Sequence, residues 1–286
     1  MLSFTVGTTK IQIYTSFVLL MILMIALGNL EQFFILFLAV SLHECSHVAV
    51  AGSFGLRAER LVITPVGELA VIQGLEFLPY YQRFLIISAG PITNLALYGA
   101  GLLLLPDGSF RHFFCSANLS IALFNLLPAY PLDGGRLLRF LLANPMGVIP
   151  ANRMIMKISA FLSWALICLG FVQVILYPFN ISLLCIGFYL GQVGKKEYVF
   201  MTYEFYRSII ASDSKIKNAR ERPVKPLMVS AQADIQTLLY RLCWDYVYVF
   251  YITGNGAEYT VVTEQALLAY VMTHGLHGQA EALVTK

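Results

Sequence analysis

A chain of 286 residues with 58% hydrophobic and only 12% charged residues, at a mean hydropathy of +0.71, falls outside the soluble range, where about 25% of residues are charged. Its net charge of +3 is too small and too dispersed to argue for a nucleic-acid partner. The five cysteines (Cys45, Cys115, Cys168, Cys185, Cys243) are scattered, four of them within apolar segments and none in a CxxC pair, and read as free thiols packing as small hydrophobes with no disulfide framework.

The chain therefore reads as an α-helical polytopic membrane protein. Lys10 precedes a first apolar span over 11–28, too long for a cleavable signal and without a small-residue cleavage site after it. Asn29-Leu30-Glu31 turns into a second span over 32–51. Between 52 and 81 the hydropathy falls, and two β-like runs, 60–64 and 68–73, flank Pro65-Val66-Gly67, which predicts a short membrane-associated hairpin. A third span covers 83–105 and ends at the turn Pro106-Asp107-Gly108. The fourth, 113–127, is broken by Pro128 and Pro131. A polar link with Arg136, Arg139 and Arg153 leads to a fifth span over 154–177, and Pro178-Phe179-Asn180 turns into a sixth over 181–193.

The remainder is polar enough to leave the membrane. Residues 197–222 mix aromatics with charges, as an interfacial helix followed by a basic linker over 215–222. From 223 onward the pattern is helix 234–242, strand 246–252, turn Thr253-Gly-Asn-Gly256, strand 258–262 and helix 264–273, a small α/β domain. The expected division is a six-span domain over 1–196, a linker over 197–222 and a C-terminal domain over 223–286.

With a cytoplasmic N-terminus, the inside segments hold Lys10, Arg57, Arg60, Arg83, Arg136, Arg139, Arg153, Lys157, Lys195 and Lys196. The outside turns hold Arg111 alone. This positive-inside asymmetry places both termini in the cytoplasm. His43 then lies about 11 residues, or about 17 Å, into a span entered from outside.

The second span carries Ser41-Leu42-His43-Glu44-Cys45-Ser46-His47. On a helix, residues four apart share one face, so both imidazoles reach one metal ion. In the HExxH arrangement the histidines bind Zn²⁺ and the glutamate takes a proton from the metal's water. With 5 His and 11 Glu in 286 residues, a chance match is expected about 0.003 times. An ionisable group inside a membrane helix costs about 3 kcal/mol or more, which weighs against the plainer reading of two packed histidines.

Two histidines leave a catalytic zinc site one protein ligand short. Asp133 lies at matching depth, in Asn125-Leu-Leu-Pro-Ala-Tyr-Pro-Leu-Asp133-Gly134-Gly135, where the plain alternative is a helix-ending turn. The prolines force extended backbone, tolerated at that depth only inside protein or along a wet cavity. Asn125, whose amide donors can hold a substrate backbone or an oxyanion, and Pro131 are the candidates for substrate contact. Packing is the rival role for Asn125. His112, His274 and His277 are poorer ligand candidates, the first on the outer side and the others in the soluble tail.

His43-Glu44-x-x-His47, Asn125 with Pro128, Pro131 and Leu132-Asp133-Gly134, and Ser88-Ala89-Gly90-Pro91-x-x-Asn94 resemble the motifs of the site-2 protease family of intramembrane zinc metalloproteases. The resemblance covers the whole chain and is strongest to the sporulation branch, with six spans and a C-terminal CBS domain. It implies peptide-bond cleavage in or near a membrane, one Zn²⁺ per chain and Asp133 as third ligand. For that branch it also implies removal of the pro-sequence of sigma-K on the mother-cell side of the outer forespore membrane. The inhibitory membrane partners would be stage IV sporulation protein FA and the bypass-of-forespore protein. CBS modules bind adenine nucleotides in pairs, so a single copy implies a homo-oligomer, with ATP as candidate ligand and Thr263 as candidate contact. Thr263-Glu-Gln-Ala266 departs from the usual Thr-x-x-Asp.

The expected function is an intramembrane zinc endopeptidase acting on a membrane-associated protein. The alternative is a CBS-regulated membrane metal transporter, since intramembrane His and Asp also line ion pathways. Glu44 discriminates, having a role in hydrolysis and none in carriage.

Overall fold

The computed structural model describes residues 2–6, 9–64, 67–72, 74–75, 78–177, 180–210, 223–243, 245–253 and 259–284. The turn residues Pro65 and Val66, the strand end Gln73, Pro178-Phe179, the basic linker over 215–222 and the turn residues 254–256 with Glu258 lie outside these. The described residues form a mostly helical chain that divides into two compact units, 1–128 with 132–137, and 129–131 with 138–286.

The first unit opens with strands β1 (Leu2–Val6) and β2 (Thr9–Ile13). The expected first span is corrected here: its opening residues are strand, and helix α1 (Thr15–Ala26) follows with 12 residues. The cause is an alternating run, Thr9-Lys10-Ile11-Gln12-Ile13, that pairs in parallel with β3 (Ala58–Thr64), Lys10 opposite Arg60 and Ile13 opposite Ile63. β4 (Gly67–Ile72) completes the expected hairpin, with Ile63 opposite Glu68. The sheet is therefore four-stranded, in the order β1-β2-β3-β4.

Between β2 and β3, α1 and α2 (Leu30–Ser53) form a helical hairpin, with Phe17 packed on Phe33 and Phe37 at ring-centroid distances of 5.8 and 5.4 Å. α2 packs in turn on α3 (Tyr80–Leu104) and α4 (Ser109–Asn125). Gly101 sets the α3–α4 approach, because a Cβ there would fall 2.8 Å from Cys115 Sγ.

In the second unit the expected polar link is instead largely helical. α5 (Asp133–Met146) buries Phe140 and Ala143, while the Arg139 guanidinium lies 5.2 Å from the Phe140 ring centroid and its Nη1 reaches Met201 Sδ. Arg139 is tolerated because its guanidinium packs on an aromatic ring. α6 (Val148–Leu176) begins ahead of the expected residue 154 and takes Arg153 into the helix, where its Nη2 donates to Tyr240 Oη at 2.6 Å. α7 (Ser182–Ile210) runs unbroken through Lys195 and Lys196. Small residues bring α6 and α7 together, and Ser163 Oγ donates to Gly187 O at 2.7 Å.

The C-terminal part has one strand beyond expectation, β5 (Val224–Ser230), parallel to β6 (Val247–Thr253), which is antiparallel to β7 (Tyr259–Thr263). Pro226 hides β5 from a sequence reading, but β5 is a sheet edge, where a missing N–H is tolerated. Helices α8 (Ile235–Tyr240) and α9 (Glu264–His274) flank the sheet. Ile235, Leu238, Leu239, Phe250, Ile252 and Leu267 share one buried core with Ala143, Val148, Ile149, Ala151 and Phe205 of α5, α6 and α7.

Among the described residues, three helices, α2, α3 and α6, are long and apolar enough to cross a membrane, while α1 is a shorter apolar helix.

Candidate metal centre

His43 and His47 lie one turn apart on α2 and are both buried, with ring centroids 4.9 Å apart. Asp133, the first residue of α5, places Oδ2 at 3.0 Å from His43 Nε2 and 3.2 Å from His47 Nε2. A carboxylate in the first turn of a helix is favoured by the exposed N–H groups there.

The opposite edges of both rings are tied down. His43 Nδ1 lies 2.5 Å from Asn94 Oδ1 on α3, and His47 Nδ1 lies 2.7 Å from Ile86 O on the same helix. Both partners are acceptors, so each imidazole carries its proton on Nδ1 and presents Nε2 as a bare lone pair. Two lone pairs and a carboxylate oxygen thus converge without a proton between them. Two imidazolium ions facing one carboxylate would leave a buried net charge, which is costly. A single divalent cation satisfies all three donors, and two nitrogens with one carboxylate oxygen form a set suited to zinc with a fourth position for water.

Two glycines make room for this convergence. A Cβ on Gly90 would fall against Nε2 of both His43 and His47, and one on Gly134 would strike the carbonyls of Leu126 and Leu127. Pro91, one residue on, lies within α3 and cannot donate to Ile87 O, which loosens the helix ladder beside the Ile86 carbonyl. Glu44 is half-buried, and one of its carboxylate oxygens lies within 4.8 Å of the donor atoms of His43 and His47.

The expected site residues thus separate. His43, Glu44, His47 and Asp133 come together. The Asn125 amide donates to Ile121 O at 3.1 Å, one turn back in its own helix. Pro131 follows a cis peptide bond and belongs to the second unit. The Thr263 hydroxyl caps α9 by accepting from Ala266 N at 3.3 Å. Missing from the sequence reading as site residues were Gly90, Asn94 and the Ile86 carbonyl, although Ser88-Ala89-Gly90-Pro91-x-x-Asn94 stood out. A buried amide within an apolar helix was the available signal for Asn94.

Comparison with known proteins follows the same lines. The model of Peptidase family M50 matches residues 108–169. A zinc metalloprotease of Methanocaldococcus jannaschii is 24% identical over 271 residues, spanning 88% of this chain and 75% of that protein. Stage IV sporulation protein FB of Bacillus subtilis is 27% identical over 263 residues, 90% of each chain. The solved site-2 protease of M. jannaschii superposes with a TM-score of 0.56 at 24% identity, over 69% of this chain and 95% of that one, so the fold is of that type.

Proposed function

We infer, from the match of residues 108–169 to the Peptidase family M50 model and the similarity to zinc metalloproteases, that this metalloendopeptidase holds one Zn²⁺ on His43, His47 and Asp133 and cleaves a membrane-associated protein. The observation that carries the ligand assignment is the meeting of two Nε2 lone pairs with Asp133 Oδ2 at 3.0 and 3.2 Å. When bound, the metal supplies Lewis-acid polarisation of the scissile carbonyl and an acidified water. Glu44, beside the imidazoles, takes the proton of the attacking water on a carboxylate oxygen and returns it to the leaving amine nitrogen. Asn94 Oδ1 and Ile86 O keep the ligand rings in the coordinating tautomer. A carboxylate base in this position has no role in ion carriage, so hydrolysis is favoured over transport.

The finer reading is a six-span enzyme in which α1, α4 and α7 accompany α2, α3 and α6 through the membrane, with both termini cytoplasmic. Domain roles follow the division 1–196, 197–222 and 223–286, the last a CBS-like regulatory module that pairs between chains. Asn125 and Pro131 remain candidates for substrate contact. Nucleotide binding rests on resemblance alone, because the Thr263 hydroxyl is engaged as a helix cap. The likeness to stage IV sporulation protein FB supports pro-sigma-K as substrate at the outer forespore membrane, with stage IV sporulation protein FA and the bypass-of-forespore protein as inhibitors.

Co-expression of pro-sigma-K with the wild-type chain or Glu44→Gln tests this. A shortened product with the wild type alone is expected. Cleavage of another membrane protein but not pro-sigma-K removes the substrate assignment, and equal cleavage by both forms removes the peptidase reading.

A further inference from the structure

We propose that Asn118, on α4, is a positioning residue of the metal centre, setting the proton of His43 through Asn94. The proposal rests on the zinc reading above.

Asn94 and Asn118 are both fully buried in apolar helices, where an amide costs free energy unless all its groups are matched. They are matched in one consistent direction. Asn118 Nδ2 donates to Phe114 O at 2.9 Å, leaving Asn118 Oδ1 to accept from Asn94 Nδ2 at 2.9 Å. Asn94 Nδ2 also donates to Ala39 O at 3.2 Å, leaving Asn94 Oδ1 to accept from His43 Nδ1.

Neither amide can turn over. Flipping Asn94 would point its oxygen at two acceptors, Ala39 O and Asn118 Oδ1, and its amino group at the proton on His43 Nδ1. Flipping Asn118 would set its oxygen against Phe114 O and its amino group against that of Asn94. The chain is anchored at both ends by backbone carbonyls, which only accept. The direction fixed at Phe114 on α4 thus passes through two side chains to the imidazole, and leaves Nε2 free to coordinate. Gly101, by admitting Cys115 and Phe114 close to α3, lets the two amides meet.

A plain role as glue between α3 and α4 would also explain a buried Asn–Asn contact, and metal retention separates the two. The purified full chain, zinc-loaded, is challenged with a chelator, and the cobalt-substituted form is followed by its visible absorption. Asn94→Leu, which removes the acceptor for His43, is expected to weaken metal retention by about 10–100-fold. Asn118→Leu, near in volume but without the acceptor, is expected to weaken it by several-fold and to shift the cobalt spectrum. Asn118→Asp, as the neutral acid this buried position favours, donates its hydroxyl to Phe114 O and keeps a carbonyl acceptor for Asn94, and is expected to retain metal like the wild type. Should Asn118→Leu fail to fold, Asn118→Ala replaces it in the comparison.

Wild-type retention and an unchanged spectrum in Asn118→Leu, with only a lower melting temperature, would overturn the proposal in favour of helix glue. Equal losses in Asn118→Leu and Asn118→Asp would overturn it too. A wild-type chain that holds no zinc would instead overturn the zinc reading itself.

Discussion

His43 and Asp133 stand 90 residues apart in the chain and meet at 3.0 Å through Nε2 and Oδ2. The same Oδ2 lies 3.2 Å from His47 Nε2, so one carboxylate oxygen faces both rings, and this makes removal of each candidate ligand informative.

Asp133→Ala is expected to lose zinc as well as activity, because two imidazoles alone make an incomplete site. Second-partner losses of about 10–100-fold in metal affinity are typical even for residues behind the ligands, so loss of a ligand itself should exceed that. Full zinc occupancy in the purified, folded variant would move the third ligand elsewhere.

Glu44→Gln is expected to keep zinc and fold while cleavage falls by about 10²–10⁴-fold, the usual contribution of a general acid–base group. The check is zinc content and product yield on the same preparation. Cleavage near the wild-type rate would assign the base to another residue.

Gly90→Ala tests the close approach of α3 to the ligand rings. A Cβ there falls against both Nε2 atoms, whereas one at Gly99 in the same helix meets nothing within 4 Å. Overpacking costs about 1–3 kcal/mol, and at Gly90 the atoms displaced are the two imidazole nitrogens proposed to hold the metal. Gly90→Ala should therefore lose zinc, with Gly99→Ala as the matched control that keeps it.

Leu238→Ala tests the core shared by α5, α6, α7 and the C-terminal sheet. Deleting a buried leucine costs about 2–5 kcal/mol, so a lower melting temperature is expected with zinc content unchanged. An unchanged melting temperature would mean that this core contributes little to stability.

The elements that were legible are those whose signal is local. The second span is recognised by composition, and its two histidines by a spacing of four, because helix periodicity alone brings them to one face. The hairpin of β3 and β4 was visible from β-branched runs around a Pro-Gly turn. α5 was not, because Arg136 and Arg139 look solvent-exposed in sequence, whereas the Arg139 plane lies over Phe140. β1 and β2 escaped for a related reason: Thr9–Ile13 borders an apolar run, and only its parallel pairing with β3 makes it strand.

The sequence by itself determined the membrane character and the His43-Glu44-x-x-His47 set as candidate ligands with a candidate base, since these depend on residue type and near spacing, while Asp133 entered as third candidate through its expected depth in the membrane and a motif resemblance. Tertiary structure alone decided which ring nitrogen faces Asp133. That choice depends on Asn94, 51 residues from His43, on the Ile86 carbonyl, 39 residues from His47, and on Asn118, 24 residues from Asn94. A hydrogen bond's direction is set by where packed helices bring two groups together, and no local periodicity encodes that meeting.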